Sequence, residues 1–572
     1  MVAGIVTSGG KGLARVAVAG AHFPRGEGMK RAASTSFVVA LVLSGFVLSG
    51  SALQEQHDHG TPTGQLGTVH FATSCSEAVA QEFDRGVALL HSFWFSAAIE
   101  TFNHVLEDDP GCAMAHWGIA MSWWGNPFGG FRAPQALQAG LAAVEKARAA
   151  GAKTERERAY IAAVEAVFKD AATVPQRARQ LEYEKQMAGL STKFGDDPEA
   201  RIFYALALNQ TALPTDKTYA NQLKAAGILE AEFARQPDHP GLAHYIIHSF
   251  DTPALAQRAL DAARRYAKIA PAAPHALHMP SHTFTRVGAW QDSIETNIAS
   301  AAAARRDNAA SEELHALDYQ VYAYLQTAQD AAAGKTLDEI AAIGARIQIN
   351  AAGAAAPPPA GYYALAAIPA RFALERNAWK EAAALTPRET AFPYADAVTH
   401  FARALGAARS GNPAAAAKDV EKLVTLRGAL QTANDAYWSG QVDIQRRIAS
   451  AWIALAEGRQ AEALSMLREA ADLEDLTDKS AISPGPIKPA RELLGEMLLE
   501  LKRPAEALKE FEATMAKEPN RFRGVHGAAR AAESAGDSQK ARTYSAQLIE
   551  ICQRADTPGR PELLEVQKIS RS

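Results

Sequence analysis

The chain has 572 residues, 59 Lys and Arg against 63 Asp and Glu, a formal net charge of −4, and 48% hydrophobic against 21% charged residues. That composition supplies a globular core. It excludes the strongly basic field that nucleic-acid binding draws on and any polybasic membrane patch.

The first predicted element is a targeting segment. Met29-Lys30-Arg31 gives a short positive start, and FVVALVLSGFVL at 37–48 is an apolar run too short for a comfortable membrane span. Small residues Ser49 to Ala52 and a polar stretch follow. This is the order of a secretory signal peptide cut after Ala52, with residues 1–28 upstream of a start at Met29; the alternative is an N-terminal anchor. No later run is long and apolar enough, so no membrane span is expected after cleavage, and the destination is periplasmic or extracellular. Residues 53–75 read as a disordered leader, His57 and His59 included. In an oxidising compartment Cys75 and Cys112 are expected to bridge, closing a loop of about 36 residues worth roughly 3–4 kcal/mol in the chain-entropy picture; the alternative is two buried thiols. Cys552 reads as a small apolar residue on a terminal helix.

From Ser76 onward the pattern is all-helical, rich in alanine, with prolines at intervals and no alternating β-branched runs. One skeleton recurs. Ala98, Phe102 and Pro110 have the same spacing as Ala507, Phe511 and Pro519, and Ala225, Leu229, Pro237 and Pro240 return 34 residues later as Ala259, Ala263, Pro271 and Pro274. The small residue lets two helices approach, the apolar residue fills the gap, and proline closes the hairpin. Such hairpins cannot bury their apolar faces alone, so they stack. This period and skeleton resemble the tetratricopeptide repeat (TPR) family. The resemblance implies an all-α, right-handed superhelical solenoid. The stretches 71–94, 108–124, 274–294, 368–379 and 484–501 further resemble a group of exported bacterial TPR proteins, which implies export and fold but no mechanism. A first array is predicted over 76–346, a Pro/Ala-rich linker over 347–361 and a second array over 362–554. SAISPGPIKP at 480–489 has too many prolines for helix, and 555–572 is a polar tail.

The chemistry lies in two stretches, AHYIIHSF (243–250) and LHMPSHTF (277–284). Each carries a histidine pair at i, i+4, and the second pair follows the first by 34 residues. His244 and His248 therefore share one face of a repeat's first helix, and His278 and His282 hold the equivalent places one repeat on. The TPR resemblance implies that these places line a concave groove. Helix axes pack about 8–10 Å apart, so the pairs can converge on one transition metal, zinc or copper, both of which imidazole suits. His275 is a fifth candidate. His315, Asp318 and Tyr319 fall on the following first helix, with Asp318 or Tyr319 in a supporting role. Asp251 reads first as a helix cap before Thr252-Pro253 and second as a partner for an imidazole. Pro280 interrupts the helix between His278 and His282.

His91, His104 and His116 read as core histidines on aromatic-rich faces. Trp117, Trp123 and Trp124 read as stacking between repeats. Arg371 and Glu375 read as an intrahelical pair, and Arg491 and Glu492 as groove-facing. The chain has no phosphate loop, GxSxG, HExxH, CxxC or CxxCH motif. Three functions fit: a binding protein whose groove takes a metal or metal-bearing ligand, a protein or a peptide; a metal-dependent, hydrolase-like enzyme on the same histidines; and a metal-free protein–protein scaffold.

Overall fold

The computed structural model describes residues 64–130, 132–349 and 355–570. The expected signal peptide, the start of the leader, His57 and His59 lie outside them.

The described residues are all-α, in one compact unit, with no strand among them. Helices follow one another as antiparallel hairpins, each packed on its sequence neighbours, which is the TPR-like stack that the sequence predicts. The repeat skeleton explains the approach. Phe102 is fully buried, and its ring lies so close to Gly86 and Gly118 that a Cβ at either would sit 2.7 or 2.4 Å from it. Phe511 lies the same way on Gly495 and Gly527, at 2.8 and 2.2 Å. One aromatic ring is thus seated between the first helix of its own hairpin and that of the next, and glycine makes the room. Caps close several ends, as where Thr154 and Glu157 form a reciprocal capping box.

Cys75 and Cys112 are bonded, S–S 2.08 Å, and join the approach to the first hairpin to the start of helix Ala113–Trp124. Cys552 is a buried free thiol after helix Ser538–Ile551. The predicted linker is interrupted: a helix opens at Pro358, where proline at the first position lacks a donor the helix would not use, and it runs to Glu375 against helix Ala310–Gln326. Among the described residues no helix is long and apolar enough to cross a membrane.

The expected Arg371–Glu375 pair is not made. Both side chains are fully buried, and each finds an interior partner. Arg371 Nε donates to Asp318 (2.9 Å), and Glu375 pairs with Arg521. Burial overrides helical spacing here, because a buried charge demands full hydrogen bonding as well as a countercharge. Likewise Glu492 does not face a groove: it is buried against Lys488 and Arg521, while Arg491 binds Asp472, Asp475 and Glu510.

Candidate metal centre

Three consecutive repeats build the site. Helix Pro240–Ser249 carries His244 and His248 one turn apart. In the next repeat Pro280 splits the helix into Pro274–His278 and Pro280–Val287. Met279 stays in the right-handed helical region between them, so the chain tightens without unwinding: His282 N–H bonds Met279 O at 3.1 Å. His275 and His278 ride on the first segment and His282 on the second. Helix Ala310–Gln326 supplies His315.

The four histidines of the repeated pairs do not meet at one point. Each pair instead takes a third histidine from the repeat after it. His244, His248 and His275 bring one ligand nitrogen each within 4.8 Å of one another, and so do His278, His282 and His315. The two trios are neighbours: the rings of His248 and His282 are 6.1 Å apart and those of His275 and His278 are 6.0 Å apart.

Hydrogen bonding fixes where the imidazole protons sit. His244 donates Nδ1–H to the His91 carbonyl at 2.7 Å, which leaves Nε2 as a lone pair. The Nε2 atoms of His244, His248 and His275 are all buried without a hydrogen-bond partner among the described residues. In the second trio, Asn297 gives its amide N–H to Ser293 O (2.7 Å), so its oxygen accepts from His278 Nδ1 (2.7 Å). Asp251 accepts from His282 Nδ1 (2.9 Å). Both neutral rings therefore direct bare Nε2 atoms at each other across 3.1 Å. His315 Nδ1 is buried and unpartnered beside them. Two lone pairs at that separation repel unless a cation or proton lies between them. Burial opposes the proton, because it disfavours the imidazolium form: His244 is pushed down to about 3, and His248, His275, His278 and His315 fall well below their ordinary value, with further lowering from neighbouring imidazoles. His282 is lowered by burial and the Lys479 ammonium, against the pull of Asp251. Buried unpaired lone pairs, with outer nitrogens held by carbonyl, amide and carboxylate oxygens, form a donor set suited to a transition metal.

Aromatic rings wall the trios. Phe128 stacks on His248 (4.1 Å), Tyr266 on His244 (5.1 Å), Phe93 on His275 (5.4 Å) and Tyr319 on His282 (4.8 Å). Tyr319 OH donates to Ser483 O at 3.0 Å and lies 3.5 Å from His282 Nδ1, so it supports the second trio. Asp318 turns away from the imidazoles to Arg371; a deeply buried guanidinium beside it is the stronger partner. The carboxylate that orients an imidazole is Asp251. It caps no helix, because it is held by three side chains at once: His282, Arg286 Nε (3.0 Å) and Lys479 Nζ (3.0 Å). Burial alone would raise its carboxyl, but the two cations hold it well below the usual range. Lys479 is buried, and its ammonium is pushed down to about 8.

Lys479 arrives from far away in the chain. The irregular stretch 478–489, expected as a loop, closes over the second trio. Arg371 ties it down through Gly485 O (2.9 Å) and Pro486 O (2.8 Å). On the other side, His248, Asp251 and Lys479 line a cavity of about 340 Å³, together with Gln180, Asn209 and Tyr437.

His91, Glu199 and His239 form a third cluster, of another kind. Glu199 accepts Nε2–H from both histidines at 2.9 Å, and His91 Nδ1 meets Tyr245 OH at 2.9 Å. Its ligand atoms already carry protons that are shared within the cluster. Its effect on the first trio is to hold His91, whose carbonyl fixes His244. His91 is fully buried, as expected, whereas His104 and His116 are half-buried.

Sequence reasoning missed Asn297, Arg286 and Lys479 and gave His315 no ligand role. A loosened repeat register, three residues beyond the simple offset, was the one signal for His315.

No family of known proteins matches the chain, and no curated protein does. Among solved structures, the human IFIT1 dimer with m7Gppp-AAAA is similar at 11% identity over 78% of this chain and 90% of that one, with a TM-score of 0.38. The Cut9 chain of the APC/C Cut9–Hcn1 hetero-tetramer gives 10% identity, 87% and 97% coverage and a TM-score of 0.27. Yeast Tom70 gives 12%, 86% and 95%, and 0.26. Likeness at this level carries no functional argument, and the fold rests on the stacked hairpins described above.

Proposed function

We propose that this protein is an exported TPR-like scaffold that binds a transition metal at its paired trihistidine sets. The observation that carries the reading is the proton pattern: buried imidazole lone pairs converge on two points, and their far nitrogens are anchored by His91 O, Asn297 and Asp251. All-nitrogen trios without thiolate suit zinc or copper and disfavour hard cations such as magnesium or calcium. Export is supported by the signal-peptide pattern and by the Cys75–Cys112 bridge.

A metal-dependent enzyme is the second reading, favoured by one observation: His248 lines the cavity, so a three-histidine site there keeps a position for an outside ligand. The test is elemental mass spectrometry of protein purified without a histidine tag, beside the His244→Ala/His278→Ala variant. Stoichiometric metal in the parent, lost in the variant, supports the proposal. No metal in either, even after incubation with zinc and copper, refutes it and leaves the groove to a protein or peptide partner.

A further inference from the structure

The two trios lie too close, and are too alike, to be unrelated sites. Each takes an i, i+4 pair from one repeat and a single histidine from the next, so the repeat itself generates two half-sites in register. They meet along two ring pairs, His248–His282 and His275–His278, with nothing but imidazole at that boundary. Charge then constrains what else the site takes. Six neutral imidazoles offset none of the charge of two divalent ions. Among the described residues the carboxylate bonded to a trio is Asp251, and Lys479 and Arg286 already claim it. The bound ion's own charge dominates such a site, so an all-histidine pair with cations beside it attracts a small anion. The cavity of about 340 Å³ reaches one trio at His248 and brings Lys479 Nζ to the same wall, 3.0 Å from Asp251 and 3.3 Å from Tyr319 OH.

Building on the metal-binding reading above, we infer that the two trihistidine sets act as one dinuclear centre whose outside ligand is a small anion admitted through the cavity at His248. His244, His248 and His275 hold one ion; His278, His282 and His315 hold the other. Lys479 is a positioning residue for the anion and for Asp251.

Copper(II) and azide are the probes. The untagged protein is stripped of metal and titrated with copper(II). Bound copper is counted, and the spin-resonance signal is integrated before and after azide is added. The pair predicts two copper ions per chain, with most of the bound copper silent once azide bridges them. His275→Ala and His315→Ala should each keep a single ion with its full signal, and circular dichroism checks their folding. If either alanine variant misfolds, His275→Asn and His315→Asn take its place. Two ions with full signal, unchanged by azide, overturn the pairing but leave metal binding intact. One ion per chain does the same. No bound copper overturns the metal reading itself. Lys479→Met should weaken azide binding while copper stoichiometry stays at two; unchanged azide affinity overturns the role given to Lys479.

Discussion

Asn297 offers a sharp test of how the second trio is built. It lies on helix Trp290–Arg306, touches no proposed ion, and is fully buried. Its oxygen accepts from His278 Nδ1 at 2.7 Å while its amide is anchored on Ser293 O at 2.7 Å. Asn297→Leu keeps the volume and removes the acceptor. The His278 N–H is then buried without a partner, which costs the apo protein about 1–3 kcal/mol. His278 also loses the bond that fixes its proton and its ring, and outer partners of metal-bound histidines are typically worth about 10–100-fold in metal affinity. Asn297→Asp is the counterpart: a carboxylate at the same place accepts the same proton more strongly, so affinity should return to the parent value or exceed it. The assay is competition with a chelator of known affinity, read separately for each ion, beside urea denaturation of the apo protein. Loss at one ion, with the other held by the first trio nearly unaffected and with rescue by aspartate, fits the geometry. Parent-like affinity in Asn297→Leu would refute the proton pattern deduced for the second trio.

Three further outcomes follow from the packing. Arg521→Met should cost about 3–5 kcal/mol in urea denaturation, because it strands the fully buried carboxylates of Glu375 and Glu492; a neutral result would mean that those carboxylates find other partners. Phe102→Ala should cost about 3–5 kcal/mol, since the ring fills the space between Gly86 and Gly118 and neither glycine has a side chain to replace it. Removing the Cys75–Cys112 bridge with Cys75→Ser/Cys112→Ser should cost about 4 kcal/mol for a closed loop of 37 residues, measured against the oxidised parent.

Much of this was legible in the sequence because the repeat is a local code. The Ala–Phe–Pro skeleton places Phe102 and Phe511 where the structure has them, and the 34-residue echo locates His244, His248, His278 and His282 on equivalent helices. The partition was not legible. Whether four histidines share one ion or divide between two depends on ring orientations at helix boundaries, and on a third histidine whose offset from its pair is not constant. Asp251-Thr252-Pro253 has the local look of a helix cap, yet its carboxylate is claimed by His282, Arg286 and Lys479 from elsewhere in the fold. Arg371 and Glu375 have pairing spacing, but only the tertiary fold brings Asp318 and Arg521 to them. Asn297 and Lys479 gave no signal: one faces inward from the second helix of a repeat, and the other comes from an irregular loop nearly 200 residues beyond His282.

The most direct measurement is anomalous diffraction at the zinc and copper edges, on crystals of the untagged protein grown with each metal. Peaks among His244, His248 and His275 and among His278, His282 and His315 are the predicted result. Peaks elsewhere, or none at either trio despite full soaking, would contradict the claim that these histidines form a metal centre.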